Sequence, residues 1–171
     1  MQVVRKGLLY FIVIVLSLAV FSPKRELYYL LEAYLMRQDV IIDNEKIESG
    51  LFSLTLKHPD LYVKGIKIST IKEISLTTLL FYTHIAAKDI GTDRSLRQWV
   101  PGKIDRVSLN YQVLDPFRVT IKATGFFGEA KGYLSLKKRV FHLDLLNEKS
   151  VGSLRPMLKK GEKGWYYEAS F

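Results

Sequence analysis

The residues after Asp39 alternate between apolar and polar side chains, which predicts β-strands with one apolar and one polar face. The clearest pair of runs lies on either side of Asp115 and Pro116, which predict the turn of a β-hairpin. The apolar members are Val107, Leu109, Tyr111 and Val113 before the turn, and Phe117, Val119, Ile121 and Ala123 after it. With the similar runs elsewhere, the pattern predicts a meander of about seven to nine antiparallel strands.

Two stretches depart from this alternation. Between Ile71 and Phe81 the apolar residues change parity, which predicts a β-bulge or two short abutting strands. Residues 147–164 are polar and predict a loop, with one short helical turn at residues 154–160. The alternation then returns in a last predicted strand, whose apolar members are Trp165, Tyr167, Ala169 and Phe171.

Residues 7–22 are uncharged and strongly apolar, and Arg5 and Lys6 precede them. A helix over residues 7–21 is about 22 Å long at ~1.5 Å per residue, and extending it through the snorkelling basic residues brings it close to the ~30 Å bilayer core. We therefore expect residues 1–22 to form a single transmembrane anchor. The alternative is a signal peptide cleaved after Ala19, but two bulky apolar residues follow that site and favour the anchor. Either segment would export the remainder of the chain.

An amphipathic helix is predicted next, at residues 24–37. Pro23 suits the first position of a helix, and apolar side chains recur on one face at helical spacing. That face consists of Leu27, Leu30, Leu31, Tyr34 and Leu35. Two placements are compatible with it: the face lies in the membrane interface, or the helix plugs one end of the following sheet. We favour the plug.

These elements predict a mainly β protein in three parts: the anchor at residues 1–22, the amphipathic helix at residues 23–38, and an exported antiparallel β domain at residues 39–171. One short helix cannot cover the apolar face of so many strands, so we expect the sheet to curve into a half-open barrel or to fold over itself. Any uncovered part would form a groove for acyl chains or for a partner's strand. The predicted core or groove residues are Leu54, Leu56, Val107, Leu109, Tyr111, Ile121, Leu134 and Leu136.

No arrangement of residues predicts catalysis. The chain has no cysteine, which excludes disulfides and thiolate metal ligands. His58, His84 and His142 occur at unrelated positions, and the last two fall on polar strand faces, where solvated side chains are expected. The sequence contains neither a phosphate-binding glycine loop nor a G-x-S-x-G motif. We therefore expect a non-enzymatic protein that uses no metal or cofactor.

The net charge of +9 favours an anionic partner. Three consecutive basic residues, Lys137, Lys138 and Arg139, form the clearest cluster. They are interpreted first as a solvated rim and second as a contact for anionic lipid headgroups or an envelope polymer. Nucleic acid is not an expected partner, because the domain is predicted to be exported.

Two segments resemble a known family. The apolar leader, the Phe21, Ser22 and Pro23 that open the helix, and the stretch DVIIDNEKIESGLFSLTLKHPDLYVKGIKISTIKEISL resemble the start of the N component of type II secretion systems and its AsmA-like relatives. The later GFFGEAKGYLSLKKRVFHLDL is similar to their G-x-x-G-x-x-x-G-x-L-x-L strand pairs. The likeness is one of pattern, and no functional residue is transferred from it.

The resemblance implies a protein of the bacterial inner membrane with a single span and most of its chain in the periplasm. It implies a subunit of a type II secretion or related envelope assembly system, with the inner membrane and other envelope or secretion proteins as partners. The alternative that it implies is a lipid-binding or lipid-transfer module of the AsmA-like or lipopolysaccharide-transport type. The chain is shorter than typical members of the family, which argues against a long lipid-conducting groove.

Overall fold

The computed structural model describes residues 24–79, 81–93, 102–146, 152–161 and 164–171. Within these ranges the chain forms one α-helix, one 3₁₀ helix and twelve strands. The predicted anchor at residues 1–22 lies outside the described residues. The elements are α1 (Lys24–Met36), β1 (Val40–Asp43), β2 (Lys46–Ser49), β3 (Ser53–Lys57), β4 (Asp60–Val63), β5 (Ile66–Leu79), β6 (Tyr82–Thr92), β7 (Ile104–Gln112), β8 (Asp115–Gly125), β9 (Gly128–Ser135), β10 (Val140–Leu145), the 3₁₀ helix (Gly152–Met157), β11 (Lys159–Gly161) and β12 (Gly164–Ser170).

The strands form one open antiparallel sheet and follow one another across it nearly in chain order, which confirms the predicted mainly β meander. The main path runs β1, β4, β5, β6, β7, β8, β9, β10, β12 and β11. β3 pairs with both β2 and β5, so it lies beside β5 next to β4. At the far edge β12 returns beside β10, and the short β11 pairs with β12.

The sheet has twelve strands where about seven to nine were predicted, chiefly because residues 40–63 form four short strands. β1 and β2 are separated near Asn44 (φ 61°), and β3 and β4 near His58 (φ 56°). A left-handed backbone at these residues interrupts the extended conformation of a strand. β1 and β2 form one arm of the first hairpin, and β3 and β4 form the other. The hairpin is therefore bent at the same level in both arms.

β5 is a single strand, so the irregularity predicted within residues 71–81 is not a bulge in this strand. It lies instead in the two neighbouring strands, on either side of Lys72. His58 N donates to the carbonyl of Lys72 (3.0 Å), and Asp89, which has φ 53°, places its carboxylate 3.5 Å from Lys72 Nζ. The apolar parity of β5 changes at this level, between Ile71 and Ile74.

The β7–β8 hairpin confirms that the two clearest alternating runs pair with each other. Its turn, however, consists of Val113 and Leu114, whereas Asp115 and Pro116, the predicted turn, begin β8. Proline is tolerated at this end of the strand because the ladder is irregular beside it, at the end of β7.

The segment predicted as a loop at residues 147–164 contains regular structure. The predicted helical turn is present as the 3₁₀ helix Gly152–Met157, but it begins and ends earlier than residues 154–160. Lys159–Gly161 then form strand β11. The predicted last strand is confirmed as Gly164–Ser170.

The register of the sheet aligns residues from successive strands in rows. One row on the side that we call the apolar face contains Leu54, Leu76, Ile85, Leu109, Ile121, Gly132, Leu143 and Tyr167. An adjacent row on the opposite side, the polar face, contains Thr77, His84, Asn110, Thr120, Tyr133, His142 and Glu168. The two-residue period of the sequence therefore separates the faces as predicted.

Two groups of buried residues form the core on the apolar face. In the N-terminal core, Tyr28 of α1 packs with Leu54 and Leu56 of β3. The C-terminal core consists of Ala123, Phe127, Ala130 and Leu145, and the residues packed against it include Val107, Leu154, Leu158 and Trp165. The 3₁₀ helix and the residue after it thus cover the apolar face where α1 does not reach.

α1 confirms the predicted helix, but it packs through a different face from the predicted one. Tyr28 is buried, and its hydroxyl donates to Glu45 Oε1 at 2.8 Å. Burial, together with this carboxylate, raises the pKa of Tyr28 above its ordinary value. Leu30, Leu31 and Tyr34 of the predicted apolar face are each more than half exposed, and we call these three residues the α1 outer face.

Asp60 at the start of β4 joins the bent first hairpin to β5. Its carboxylate accepts hydrogen bonds from Asn44 Nδ2 (3.0 Å) and Thr70 Oγ1 (2.7 Å), and Lys67 Nζ lies 2.8 Å away. The hydrogen bond from Lys67, followed by those from Asn44 and Thr70, lowers the pKa of Asp60 to about 2. The left-handed residue Asn44 therefore contributes its side chain as well as its backbone to the bend.

Candidate functional site

The predicted core or groove residues fall in different environments. Leu54 and Leu56 are buried in the N-terminal core, beside the ring of Tyr28. Ile121 is also buried, and Val107 packs against the C-terminal core. The N-terminal members of the predicted groove are therefore core residues and are not available to a ligand.

Three of the remaining predicted groove residues lie on β7 and β9, outside both cores. Leu109, Tyr111 and Leu134 are half-buried there, on the apolar face. Leu136 is separated from them, because it lies in the β9–β10 turn and is exposed. The part of the apolar face that remains accessible is thus the middle of the sheet and the end at which Leu136 lies.

Four turns meet at that end of the sheet: the β5–β6, β7–β8 and β9–β10 turns, and the β2–β3 turn beside them. We call it the tip end. Exposed apolar side chains occupy it, and Leu114 in the β7–β8 turn is 90% exposed. We call the following set the tip surface: Leu79, Phe81, Val113, Leu114, Phe117, Leu136 and Phe171. Sequence alternation identified Val113, Phe117 and Phe171 as apolar members of strands, but it did not show that the turn residues Phe81 and Leu114 meet them at one end of the sheet.

An open cleft of about 360 Å³ lies between the first two of these turns. Its lining is largely apolar and consists of Leu79, Phe81, Tyr82, Gln112 and Leu114. A cleft of this kind accepts an apolar group rather than a charged one.

The predicted anionic contact lies at the same end. Lys137, Lys138 and Arg139 form the β9–β10 turn, and all three are exposed. None of them forms an ion pair with a described residue, unlike Lys88 or Lys103, which are paired with Glu73 (2.7 Å) and Asp89 (2.5 Å). Phe171 lies beside this turn, because its N–H donates to the carbonyl of Arg139 at 3.1 Å.

α1 also begins at the tip end. Arg25 in its first turn donates from Nε to Ser49 Oγ at 3.1 Å, and Ser49 is the last residue of β2, next to the β2–β3 turn. The other end of α1 leads through Asp39, whose N–H donates to the carbonyl of Met36 (3.1 Å), into β1. The helix therefore runs from the tip end towards the opposite end of the sheet.

The opposite end, which we call the packed end, is closed by the C-terminal core. Its β8–β9 turn contains Phe126 and Phe127, whose rings meet edge to face at 5.3 Å. Phe127 is only 8% exposed, although it lies in a hairpin turn as Leu114 does. Leu154, Leu158 and Trp165 pack against the same core.

His142 on the polar face has partners that the sequence interpretation missed. Its ring stacks between Tyr133 and Tyr166, each with centroids 5.3 Å away, and its two nitrogens approach Asp144 (3.1 Å) and Glu168 (3.2 Å). It is 19% exposed, so the expectation of a solvated side chain is wrong. The spacing of His142 and Asp144 was the available signal, because residues two apart on a strand share a face.

His84 is also partnered. Its Nδ1 lies 2.6 Å from Asn110 Oδ1, which accepts a further hydrogen bond from the hydroxyl of Tyr82 at 2.5 Å. These contacts make the polar face a network of aromatic and polar side chains. Across the described ranges, no group of three or more histidine and carboxylate side chains is arranged to hold a metal ion.

Of the helices in the described parts of the chain, none is both long and apolar enough to cross a membrane. The chain matches no family model, and comparisons with curated proteins and with solved structures found no match.

Proposed function

We propose that this protein is a non-enzymatic subunit of a type II secretion or related envelope assembly system, anchored in the bacterial inner membrane with its β domain in the periplasm. The observation that carries the proposal is the amount of apolar surface left uncovered on the described domain. Both the tip surface and the α1 outer face are exposed. Contiguous exposed apolar surface typically marks sites of contact with proteins or membranes.

The sequence supports the membrane location. The uncharged residues 7–22 precede α1 directly, and Arg5 and Lys6 precede them. In this proposal residues 1–22 form a transmembrane helix, and α1 is the first element on the periplasmic side.

The proposal includes a sheet that curves as a half-open barrel. Leu109, Tyr111 and Leu134 are only half-exposed, although they belong to neither of the two cores. The proposal attributes this partial burial to side chains on the neighbouring strands and to curvature of the sheet over its own apolar face.

The α1 outer face is the proposed contact for an envelope partner. Leu30, Leu31 and Tyr34 recur at helical spacing, and the helix is held to the sheet from its other side by Tyr28. An apolar stripe on a fixed helix is a common way for one protein to dock into a groove of another. Partner binding at this face leaves the fold of the sheet unchanged.

Affinity purification from bacterial membranes tests this contact. The double variant Leu31→Ser and Tyr34→Ser should fold as the wild type does, since both side chains are exposed, and should lose a co-purifying envelope protein. The matched control is Lys159→Ser with Lys160→Ser on the exposed strand β11, which should retain that protein. Equal recovery of the same proteins with both variants, or of none with the wild type, would count against the proposal.

The second candidate is a lipid-binding or lipid-transfer module. It is favoured by the half-buried part of the apolar face, where Leu109, Tyr111 and Leu134 lie outside both cores. Native purification followed by lipid mass spectrometry tests it. Lipid bound in a fixed ratio, and lost on Leu134→Gln substitution, would support this candidate, whereas protein free of lipid would argue against it.

A further inference from the structure

We propose that the tip end of the sheet docks on an anionic phospholipid bilayer, with the tip surface inserted among the headgroups and the β9–β10 turn in contact with lipid phosphate. The inference rests on the proposed function for the presence of the membrane. It adds which end of the domain faces that membrane and which residues contact it.

The first argument is the position of the exposed apolar residues. Phe81, Leu114 and Leu136 come from three different hairpin turns, and the antiparallel register brings all three turns to one end of the sheet. In a hairpin turn that faces water, polar residues and glycine are the usual choice. Aromatic and aliphatic side chains at several neighbouring tips are instead typical of surfaces that enter the interfacial region of a bilayer.

The second argument is charge. Lys137, Lys138 and Arg139 extend from a turn of the same end and have no carboxylate partner among the described residues. Basic side chains next to inserted apolar ones suit a bilayer whose surface carries phosphate groups. They do not suit tip-to-tip contact between two copies of this chain, because that contact would bring two basic turns close together.

The third argument is the direction of the chain. Arg25 is bonded to Ser49 at the tip end, so the chain that precedes α1 joins the domain there. Residue 22, the last of the apolar leader, lies three residues before Arg25 and leaves little length for a spacer. A domain attached in this way has its tip end at the membrane and its packed end turned away from it.

The absence of cysteine from the chain allows a direct measurement. Full-length Leu114→Cys and Met157→Cys proteins are labelled with an environment-sensitive fluorophore and reconstituted in vesicles of phosphatidylethanolamine and phosphatidylglycerol. Met157 is the matched control, because it is 62% exposed and lies in the 3₁₀ helix, which packs against the core at the packed end. We expect quenchers attached to the lipid headgroup region to reduce the emission at position 114 several-fold more than at position 157.

Each alternative result overturns the inference. Protein that floats with the vesicles but shows no quenching at position 114 is anchored without tip docking, and a cross-link from position 114 to a second copy or another protein would identify a different occupant. Equal quenching at both positions would show adsorption without the proposed orientation. Protein that does not float with the vesicles contradicts the proposed anchor as well.

The contribution of charge is tested separately on the labelled Leu114→Cys protein. Adding Lys137→Glu and Lys138→Glu should reduce the quenching in vesicles that contain phosphatidylglycerol and should have little effect in purely zwitterionic vesicles. The matched control, Lys159→Glu with Lys160→Glu on β11, should leave the quenching unchanged. An equal loss with both pairs of substitutions would contradict a specific role for the β9–β10 turn.

Discussion

The two ends of the sheet are built from similar hairpins, but an apolar residue in a turn is buried at one end and exposed at the other. At the packed end Phe127 lies in a turn and is buried, whereas at the tip end Leu114 also lies in a turn and is exposed. The difference comes from a distant part of the chain, because Leu154 and Trp165 pack against the core that contains Phe127. Whether an apolar residue in a turn is buried or remains free to contact a partner therefore depends on the elements that cover it.

The largest effect is expected when a charge enters the C-terminal core. Val107→Asp should destabilise the domain by several kcal/mol or unfold it, because Val107 is partly buried against the C-terminal core and a carboxylate there has no partner. Leu109→Asp should destabilise less, since Leu109 lies outside both cores and its replacement reaches water more easily. Thermal unfolding of the full-length proteins in one detergent measures both. A melting temperature of Val107→Asp equal to the wild type would show that its facing is misassigned.

Truncation of one turn residue at each end compares the two ends directly. Phe127→Ala should lower the free energy of unfolding by about 3–5 kcal/mol, because it removes a buried ring. Leu114→Ala should change it by no more than about 0.5 kcal/mol, as is usual for exposed positions. Urea titration of both variants is the measurement. Similar losses would mean that the tip end is covered in the folded protein.

The row that crosses the apolar face of the sheet contains one glycine, Gly132. A Cβ at Gly132 would overlap the carbonyl oxygen of His142 and lie 2.8 Å from the Cα of Leu143, so Gly132→Ala should lower the free energy of unfolding by about 1–3 kcal/mol. Gly91→Ala is the control, because the nearest atom to its Cβ, the carbonyl oxygen of Thr70, is 3.6 Å away. The same denaturant titration applies. Greater sensitivity at Gly91 would contradict the close approach of β9 and β10.

A smaller and pH-dependent effect is expected at Asp60. Its pKa is about 2 in the folded protein and 3.8 ordinarily, so its contribution is fully present above about pH 4 and is lost as the pH falls towards 2. Asp60→Asn should cost about 1–3 kcal/mol at neutral pH and should weaken the acid dependence. Unfolding measured from pH 2 to 7 tests this. An unchanged slope in the variant would exclude Asp60 as a source of the acid sensitivity.

Much of the fold followed from the sequence, because its signals are local. The period of the apolar residues identified the β7–β8 hairpin and β12, and Pro23 with the helical spacing after it identified α1. The bend of the first hairpin was not predictable in this way. It depends on left-handed backbone at Asn44 and His58, which are not glycine, and on side-chain bonds to Asp60.

The surfaces were harder to predict than the strands. Parity placed Leu109 and Leu134 on the apolar face, but it did not show that Leu54 and Leu56 are covered by Tyr28, which was not on the predicted helix face. The partners Glu168 and Tyr166 of His142 come from β12, more than twenty residues along the chain. Contacts between distant residues decide such features, and a two-residue period carries no information about them.

The most direct test of the contrast between the two ends is the reactivity of single cysteines with a water-soluble maleimide in the domain from residue 23 onward, in buffer without detergent or lipid. Leu114→Cys should react about as fast as an unfolded control, whereas Ala130→Cys, at a position that is 1% exposed in the C-terminal core, should react only after denaturation. Slow labelling at position 114, or equally fast labelling at both positions in the folded protein, would contradict an open tip end and a closed packed end.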